Sequence, residues 1–256
     1  MAGKMATIWS ASDKSTPLAA SPCFVHDSAI AMAALRSRLK DHSNANALKA
    51  LGKAVTARLD ADPAAYRLPV EGLTIFGVAE FFSQAECRRL IGIVDTVARP
   101  SSVFGGPTGT QGRTSYSGDV DPHDPFIMML QRRIDDLLGI DPRFGETVQG
   151  QRYQPGQEFK GHYDWFDTGG GYWSAESGAG QRSWTAMAYL NAVDEGGTTD
   201  FPKVDLSVPP QPGALLVWNN MNPDGTPNRL ALHAGTPVVR GVKYVVTKWY
   251  RAKPWW

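Results

Sequence analysis

The first regular pattern along the chain is helical. From Asp27 to about Asp60, apolar residues recur at helical spacing: Ile30, Ala33, Leu35 and Leu39, then, beyond "HSNAN", Leu48, Leu51, Val55 and Leu59. This predicts two short helices. "DADPAAYRLPVEG" follows, with prolines and a glycine, and reads as a linker into the next unit. "LTIFGVAEFF" has the β-branched and aromatic content of a strand. Behind it, "SQAECRRLIGIVDTVA" opens with Ser83 and Glu86 at the spacing of a capping box, so a strand leads into a helix. "DPFIMMLQRRIDDLLG" repeats the logic, with Asp124 as N-cap, Pro125 in the first turn and Gly139 as the stop.

After about Gly145 the period changes. Short β-rich runs, "TAMAYLNAV", "ALLVWNN", "TPVV" and "VKYVVTKWY", are separated by Gly, Pro, Asn and Asp, the spacing of a sandwich or barrel. No internal repeat is present, and "TGGGYWSAESGAG" at 168 to 180 reads as a mobile glycine-rich loop.

Composition narrows the classes. A chain of 256 residues with 42% hydrophobic content can bury a full core. Lys plus Arg number 26 against 25 Asp plus Glu, a net charge of +1 that offers no field for nucleic acid or an anionic membrane, so neither partner is expected. Cys23 and Cys87 lie far apart and form no CxxC, which argues against a disulfide scaffold or a cysteine zinc site and points to a reducing cytoplasm. The N-terminal stretch has no apolar run of the length that a signal peptide or membrane span needs, and reads as a loose tail.

The candidate chemistry lies in "QRYQPGQEFKGHYDWF". If 158 to 165 is a strand, side chains alternate across it and His162 and Asp164 point to the same face, two ligands aimed at one point. Of the other histidines, His26 and His42 fall in the helical region and His123 in a loop before a helix, whereas His233 in "ALHAGTPVV" sits in the β-rich half and is the best third ligand. Two imidazoles and one carboxylate on one side of a metal leave open positions, the arrangement of non-haem Fe(II) oxygenases. Lys243 adds to this. "VRG" is expected to form a hairpin loop with Gly241 at positive φ, pairing Lys243 with Pro237. The lysine then faces the metal side, roughly 13 Å from His233 at ~3.3 Å per residue. That spacing suits a small diacid that chelates the metal at one end and meets a cation at the other.

These residues resemble the 2-oxoglutarate and Fe(II)-dependent dioxygenases, and within them the prolyl 4-hydroxylase family. The resemblance is carried by "RYQPGQEFKGHYD", "RSWTAMAYLNAVDEGGTTDFP", "PQPGALLVWNN", "LHAGTPVVRGVKYVVTKWY" and, upstream, "FFSQAECRRLIGIVD" and "GRTSYSG", over about 70 to 252. It implies a mainly β fold with helical support, a double-stranded β-helix (jelly roll, cupin-like) preceded by N-terminal helices. It also implies a catalytic domain at 67–256, with the dioxygenase core at about 146–252, whereas residues 1–66, read from the pattern above as a tail and helical appendage, have no match in the family.

By that resemblance His162, Asp164 and His233 bind Fe(II) and Lys243 pairs with the distal carboxylate of 2-oxoglutarate. Tyr153, Thr185, Tyr189, Thr247 and Trp249 match positions lining the cosubstrate pocket, and Arg113, Ser115 and Arg182 match places that meet a peptide. The implied reaction consumes O2, releases succinate and CO2, hydroxylates a prolyl residue of a peptide or protein, and uses ascorbate to rescue oxidised iron. The sequence departs from the family at Trp218, where phenylalanine is more usual, and at Trp184. Both are expected to narrow the mouth or to offer a stacking surface for a proline ring. Three alternatives stay open: the same chemistry on a free amino acid or other small molecule, a non-catalytic metal-binding barrel acting as a sensor, and a zinc hydrolase.

Overall fold

The computed structural model describes residues 45–101, 112–166 and 178–255. The first of the two expected helices, the tail with Cys23, His26 and His42, and most of the glycine-rich loop lie outside those residues. The second helix is α1 (Ala45–Ala61), and its buried residues are Leu48, Leu51, Val55 and Leu59, the positions whose spacing predicted it. The stretch read as a linker contains a short strand, β1 (Ala65–Arg67), at the sheet edge beside β2 (Ile75–Val78). Pro63 and Pro69 flank β1 without entering it, as expected of residues that cannot donate to a ladder.

Helix α2 (Gln84–Val97) starts at the expected capping box: Ser83 Oγ accepts from the Glu86 N–H and the Glu86 carboxylate accepts from the Ser83 N–H. Two further strands, β3 (Arg99–Pro100) and β4 (Tyr116–Asp119), precede α3 (Pro125–Leu138). Asp124 caps α3 by accepting from Phe126 and Ile127, and Gly139 ends it in the left-handed region at φ 68°.

The β-rich half supplies β5 (Gln149–Tyr153), β6 (Phe159–His162), β7 (Arg182–Tyr189), β8 (Glu195–Gly196) and β9 (Thr199–Phe201). It continues with β10 (Leu206–Val208), β11 (Leu215–Asn219), β12 (His233–Gly235), β13 (Val238–Arg240) and β14 (Lys243–Arg251). The chain is thus mainly β. An eight-stranded antiparallel sheet in the order β1-β2-β11-β7-β14-β5-β4-β3 faces a four-stranded sheet in the order β10-β9-β12-β6.

The large sheet is covered on both faces, which explains why "TAMAY", "LLVW" and "YVVTKWY" are nearly unbroken apolar runs. Trp184, Ala186, Ala188, Leu215, Val217, Val246 and Tyr250 pack against residues of all three helices. The intervening Met187, Tyr189, Leu216, Trp218 and Val245 pack with Phe201, Val208 and Val238 between the sheets. Gly118 and Gly150 stand opposite each other on β4 and β5, and a Cβ on either would run into Val97 or Val94 of α2. Their lack of side chains lets that helix lie close on the sheet.

On the helix-covered face, Lys248 Nζ donates to Asp135 Oδ1 at 2.6 Å and Tyr250 Oη donates to the same oxygen at 2.7 Å, all three groups buried. Removing the carboxylate strands a buried ammonium. Asp135→Ala is therefore expected to destabilise the fold by about 3–5 kcal/mol, read as a lowered midpoint in urea unfolding. Asp135→Ala combined with Lys248→Met should recover much of the loss.

Candidate active site

The small sheet brings two imidazoles together. β12 and β6 are neighbours, and their register sets His233 opposite His162, with ring centroids 4.2 Å apart. The expected strand through residue 165 ends instead at His162, and the chain bends at Asp164. Asp164 is turned toward the facing sheet because its Oδ2 accepts a 2.7 Å hydrogen bond from Thr185 Oγ1 on β7. Thr185 in turn accepts from Asn220 Nδ2 at 2.9 Å. Asp164 therefore reaches the histidines by a bend, where strand alternation had been expected to do it.

Both histidines are set to offer the same nitrogen. His162 Nδ1 lies 2.8 Å from the Lys160 carbonyl and His233 Nδ1 lies 3.0 Å from that of Ala231, contacts in which each Nδ1 carries the proton and leaves a lone pair on Nε2. The two Nε2 atoms stand 3.9 and 3.7 Å from the Asp164 carboxylate oxygens. Ligand atoms of the three residues all lie within 4.8 Å of one another. Burial and the neighbouring His233 push the His162 imidazole down to about 3, so its Nε2 stays unprotonated at neutral pH. Burial alone would raise Asp164, yet His233, His162 and Arg182 hold its carboxyl below the usual range. Two imidazoles that both present Nε2 and one carboxylate converge here, His162 partly buried and the other two buried, and fit a dication with open coordination positions.

Aromatic rings hold these ligands in place. Phe159 stacks on His162 at 3.5 Å, Trp218 meets His233 edge-on at 4.9 Å, and Phe201 lies at 5.5 Å on the same ring. Trp218 is only 1% exposed and lines the cleft beside the His233 ring. Trp184 is fully buried on the helix-covered face of the sheet, so it does not form the expected stacking surface at the mouth.

His162, Asp164, His233 and Lys243 all line one open cleft. The route to Lys243 differs from the expected hairpin. β13 pairs with β8, whereas β14 pairs with β5 and β7, so Lys243 lies opposite Tyr153 and not Pro237. Gly241 does take positive φ, at 91°, but as the corner by which the chain passes onto the large sheet. The lysine thus approaches the cleft from the sheet facing the histidines.

Its ammonium is 3.4 Å from Thr199 Oγ1 and lies over the rings of Tyr153 and Tyr189 at 5.5 and 5.6 Å. Among the described residues no carboxylate lies within 4.0 Å of it. Burial pushes it down from 10.5 to about 7, although Asp200 favours the charged form. A buried cation without an ion-pair partner is costly, and an anionic ligand in the cleft would remove that cost.

Tyr153, Thr247 and Trp249 line the cleft. Tyr189 and Thr185 do not: the first is buried behind it under Lys243, and the second acts on Asp164 as described. Arg113, 7% exposed, donates to Ser115 and Gln149 and lies over Phe159, the ring stacked on His162. Arg182 forms a two-bond pair with Glu146, both at 2.7 Å, and lies 4.1 Å over the Trp249 ring. All three are built into the cleft's surroundings and are not loose on its rim.

The sequence reading passed over Gln151 and Thr199, which line the cleft, and Asn220, which holds Thr185. Thr199 and Phe201 alternate as buried positions of β9, a period-two signal present in "TTDF". Asn220 carried no such signal, because its role depends on a contact between two strands.

A sequence profile for the 2OG-Fe(II) oxygenase superfamily matches residues 148–251. Prolyl 4-hydroxylase 5 of Arabidopsis thaliana is 35% identical over 199 residues, 66% of this chain and 65% of that protein. Prolyl 4-hydroxylase subunit alpha-1 of Gallus gallus is 34% identical over 125 residues, 49% of this chain and 24% of that one. The chain spans about two thirds of the length of the first of these relatives. Among solved structures, the 2OG complex of a viral collagen prolyl hydroxylase from Paramecium Bursaria Chlorella virus-1 superposes with a TM-score of 0.55 at 28% identity, covering 69% of this chain and 95% of that one.

Two outcomes follow from the geometry. Thr185→Val keeps the shape but removes the hydrogen bond to Asp164, and should weaken divalent metal binding about 10- to 100-fold in a Mn(II) calorimetric titration. The second concerns Lys243 in protein free of metal and cosubstrate. Its folded pKa lies below its unfolded one, so between about 7 and 10.5 the unfolded chain binds more protons, and stability from this group rises with pH through that window. Lys243→Met should abolish that rise and melt above the wild type at pH 7 and below, by a few degrees at ~2–4 °C per kcal/mol. Melting curves across pH 6 to 10 check this.

Proposed function

We infer that this chain, which belongs to the 2OG-Fe(II) oxygenase superfamily and within it to the prolyl 4-hydroxylases, is a dioxygenase that hydroxylates a prolyl residue of a peptide or protein. The relatives that carry the prolyl assignment are the plant and animal prolyl 4-hydroxylases and the viral collagen prolyl hydroxylase. The two facing sheets are read as the double-stranded β-helix of that family.

One observation carries the cosubstrate reading: the buried Lys243 ammonium opens onto the same cleft as the His162, Asp164 and His233 cluster. A metal-binding sensor or a zinc hydrolase needs the three ligands but has no use for that cation. A dicarboxylic acid needs both.

When bound, Fe(II) with 2-oxoglutarate supplies O2 activation coupled to oxidative decarboxylation, releasing succinate and CO2 and delivering oxygen to an unactivated C–H bond. The chain's own contribution is placement. His162, Asp164 and His233 hold the metal on one side, leaving the other for ligands. Lys243 and the Tyr153 phenol meet the distal carboxylate, one with charge and one with a neutral hydrogen bond. Thr247 and Trp249 shape the wall, Tyr189 supports Lys243 from behind, and Thr185 fixes Asp164.

Arg113, Ser115 and Arg182 border the side from which an extended peptide enters. Ascorbate restores iron oxidised when turnover uncouples from substrate. The protein works in a reducing cytoplasm, in keeping with a buried free thiol at Cys87. Among the described residues no helix is long and apolar enough to cross a membrane.

The test is O2-dependent conversion of 2-oxoglutarate to succinate by Fe(II)-loaded protein, with and without a proline-rich peptide. Peptide-stimulated turnover is expected, abolished by His162→Ala. Lys243→Ala should raise the KM for 2-oxoglutarate by ~10- to 100-fold, the loss of a charge-assisted hydrogen bond worth about 1.5–3 kcal/mol. Turnover that the peptide leaves unchanged redirects the acceptor to a free amino acid or other small molecule. No succinate from folded, iron-loaded protein defeats the oxygenase reading.

A further inference from the structure

Three residues on the cleft wall form a hydrogen-bonded chain. Tyr153 Oη donates to Gln151 Oε1 at 2.8 Å, and Gln151 Nε2 donates to Thr247 Oγ1 at 3.1 Å. All three line the cleft and are buried, with Gln151 only 6% exposed. β5 carries Gln151 and Tyr153 two residues apart on one face, and β14 carries Thr247 beside them.

A tyrosine hydroxyl has one proton, and a carboxylate can only accept. With that proton directed at Gln151, Tyr153 offers a carboxylate nothing but lone pairs. The oxygen and nitrogen of a glutamine amide are nearly the same size, and a half-turn about the last side-chain torsion exchanges them without moving other atoms. After that turn Gln151 Nε2 donates to Tyr153 Oη and Gln151 Oε1 accepts from the Thr247 hydroxyl. No hydrogen bond of the chain is lost, and the Tyr153 proton is released into the cleft, next to the Lys243 ammonium that stands over its ring.

We propose that Gln151 is a positioning residue whose side-chain amide turns over when the cosubstrate binds, so that the Tyr153 hydroxyl, keeping its proton, redirects its hydrogen bond from Gln151 to the cosubstrate carboxylate. This rests on the 2-oxoglutarate reading of the cleft. Thr247 is the counterpart that makes the exchange possible, since its hydroxyl can accept in one state and donate in the other.

The experiment is an anaerobic titration of the Mn(II)-loaded full chain with 2-oxoglutarate, followed by tryptophan fluorescence, because Trp218 and Trp249 both line the cleft. Gln151→Glu accepts from both neighbours and donates to neither, which locks the Tyr153 proton away. It should weaken binding about tenfold, as should Tyr153→Phe, the loss expected for one hydrogen bond to a charged group. The double variant should bind within about twofold of either single, since both remove the same bond. Gln151→Met, which releases the proton, should bind at least as tightly as the wild type.

A double variant whose loss is the product of the two single losses would show that Gln151→Glu acts through its charge alone, and overturns the proposal. So does a Gln151→Met variant that loses affinity tenfold, because Gln151 would then itself be a required donor. Melting temperature and Mn(II) affinity close to wild type identify folded variants. A wild-type protein that shows no response to 2-oxoglutarate sinks the cosubstrate reading itself, and this inference with it.

Discussion

The burial of the central strands on both faces is the constraint from which the rest of the structure follows. Along β7, β11 and β14, each residue faces either the helices or the small sheet, and none faces water for long. Period-two alternation therefore sorts side chains between two cores, where in a half-exposed sheet it would sort them between core and solvent. On β14 the sorting is visible residue by residue. Val246, Lys248 and Tyr250 go to the helix side, while Lys243, Val245, Thr247 and Trp249 line the cleft.

Such strands leave polar residues nowhere inexpensive to go, so each buried polar group has to be matched or has to wait for a partner. Lys248 is matched internally by Asp135, and Arg182 and Arg251 by Glu146. Asp164 is matched by Thr185 on one oxygen and faces the histidines with the carboxylate. Lys243 differs: among the described residues it has a long contact to Thr199, two aromatic faces and the influence of Asp200, with no carboxylate within 4.0 Å. Two buried lysines on one strand, five residues apart, thus divide by role: one completes the core and the other opens onto the cleft.

Much of this was legible in the sequence. The caps of α2 and α3 depend on residues at the helix ends themselves, and such local chemistry reads directly: Ser83 with Glu86 at the start of α2, and Asp124 with Pro125 at the start of α3 and Gly139 at its end. The pairing of His162, Asp164 and His233 was reachable because histidines are few and only those two lie in the β-rich half. The geometry behind it was less so. A strand through Asp164 and a hairpin through Gly241 both follow from local pattern, and both are replaced by contacts between residues distant in the chain: Thr185 to Asp164 across the sheets, and Lys243 opposite Tyr153 within the large sheet. The same limit hid Asn220 and put Trp184 at the mouth, since which face of a doubly buried strand a residue takes cannot be read from hydrophobicity when both faces are apolar.

The division of labour between the sheets also ties ligand binding to the integrity of the fold. His162 and His233 belong to the small sheet, whereas Lys243, Tyr153 and Thr247 belong to the large one, and Asp164 sits at a bend between them. On the proposed reading, a metal held by the histidines and a diacid reaching from it to Lys243 would form a bridge across the cleft, between residues of the two sheets. Ligands that bind only the folded chain stabilise it by mass action, about 2.7 kcal/mol at a hundredfold excess over Kd. Here the gain would fall on the contact between the two sheets, where the cleft interrupts apolar packing. On that reading the buried Lys243 cation, costly without an anionic partner, would be the group that selects an acid of the right length, so the expense in folding and the specificity in binding would have one origin.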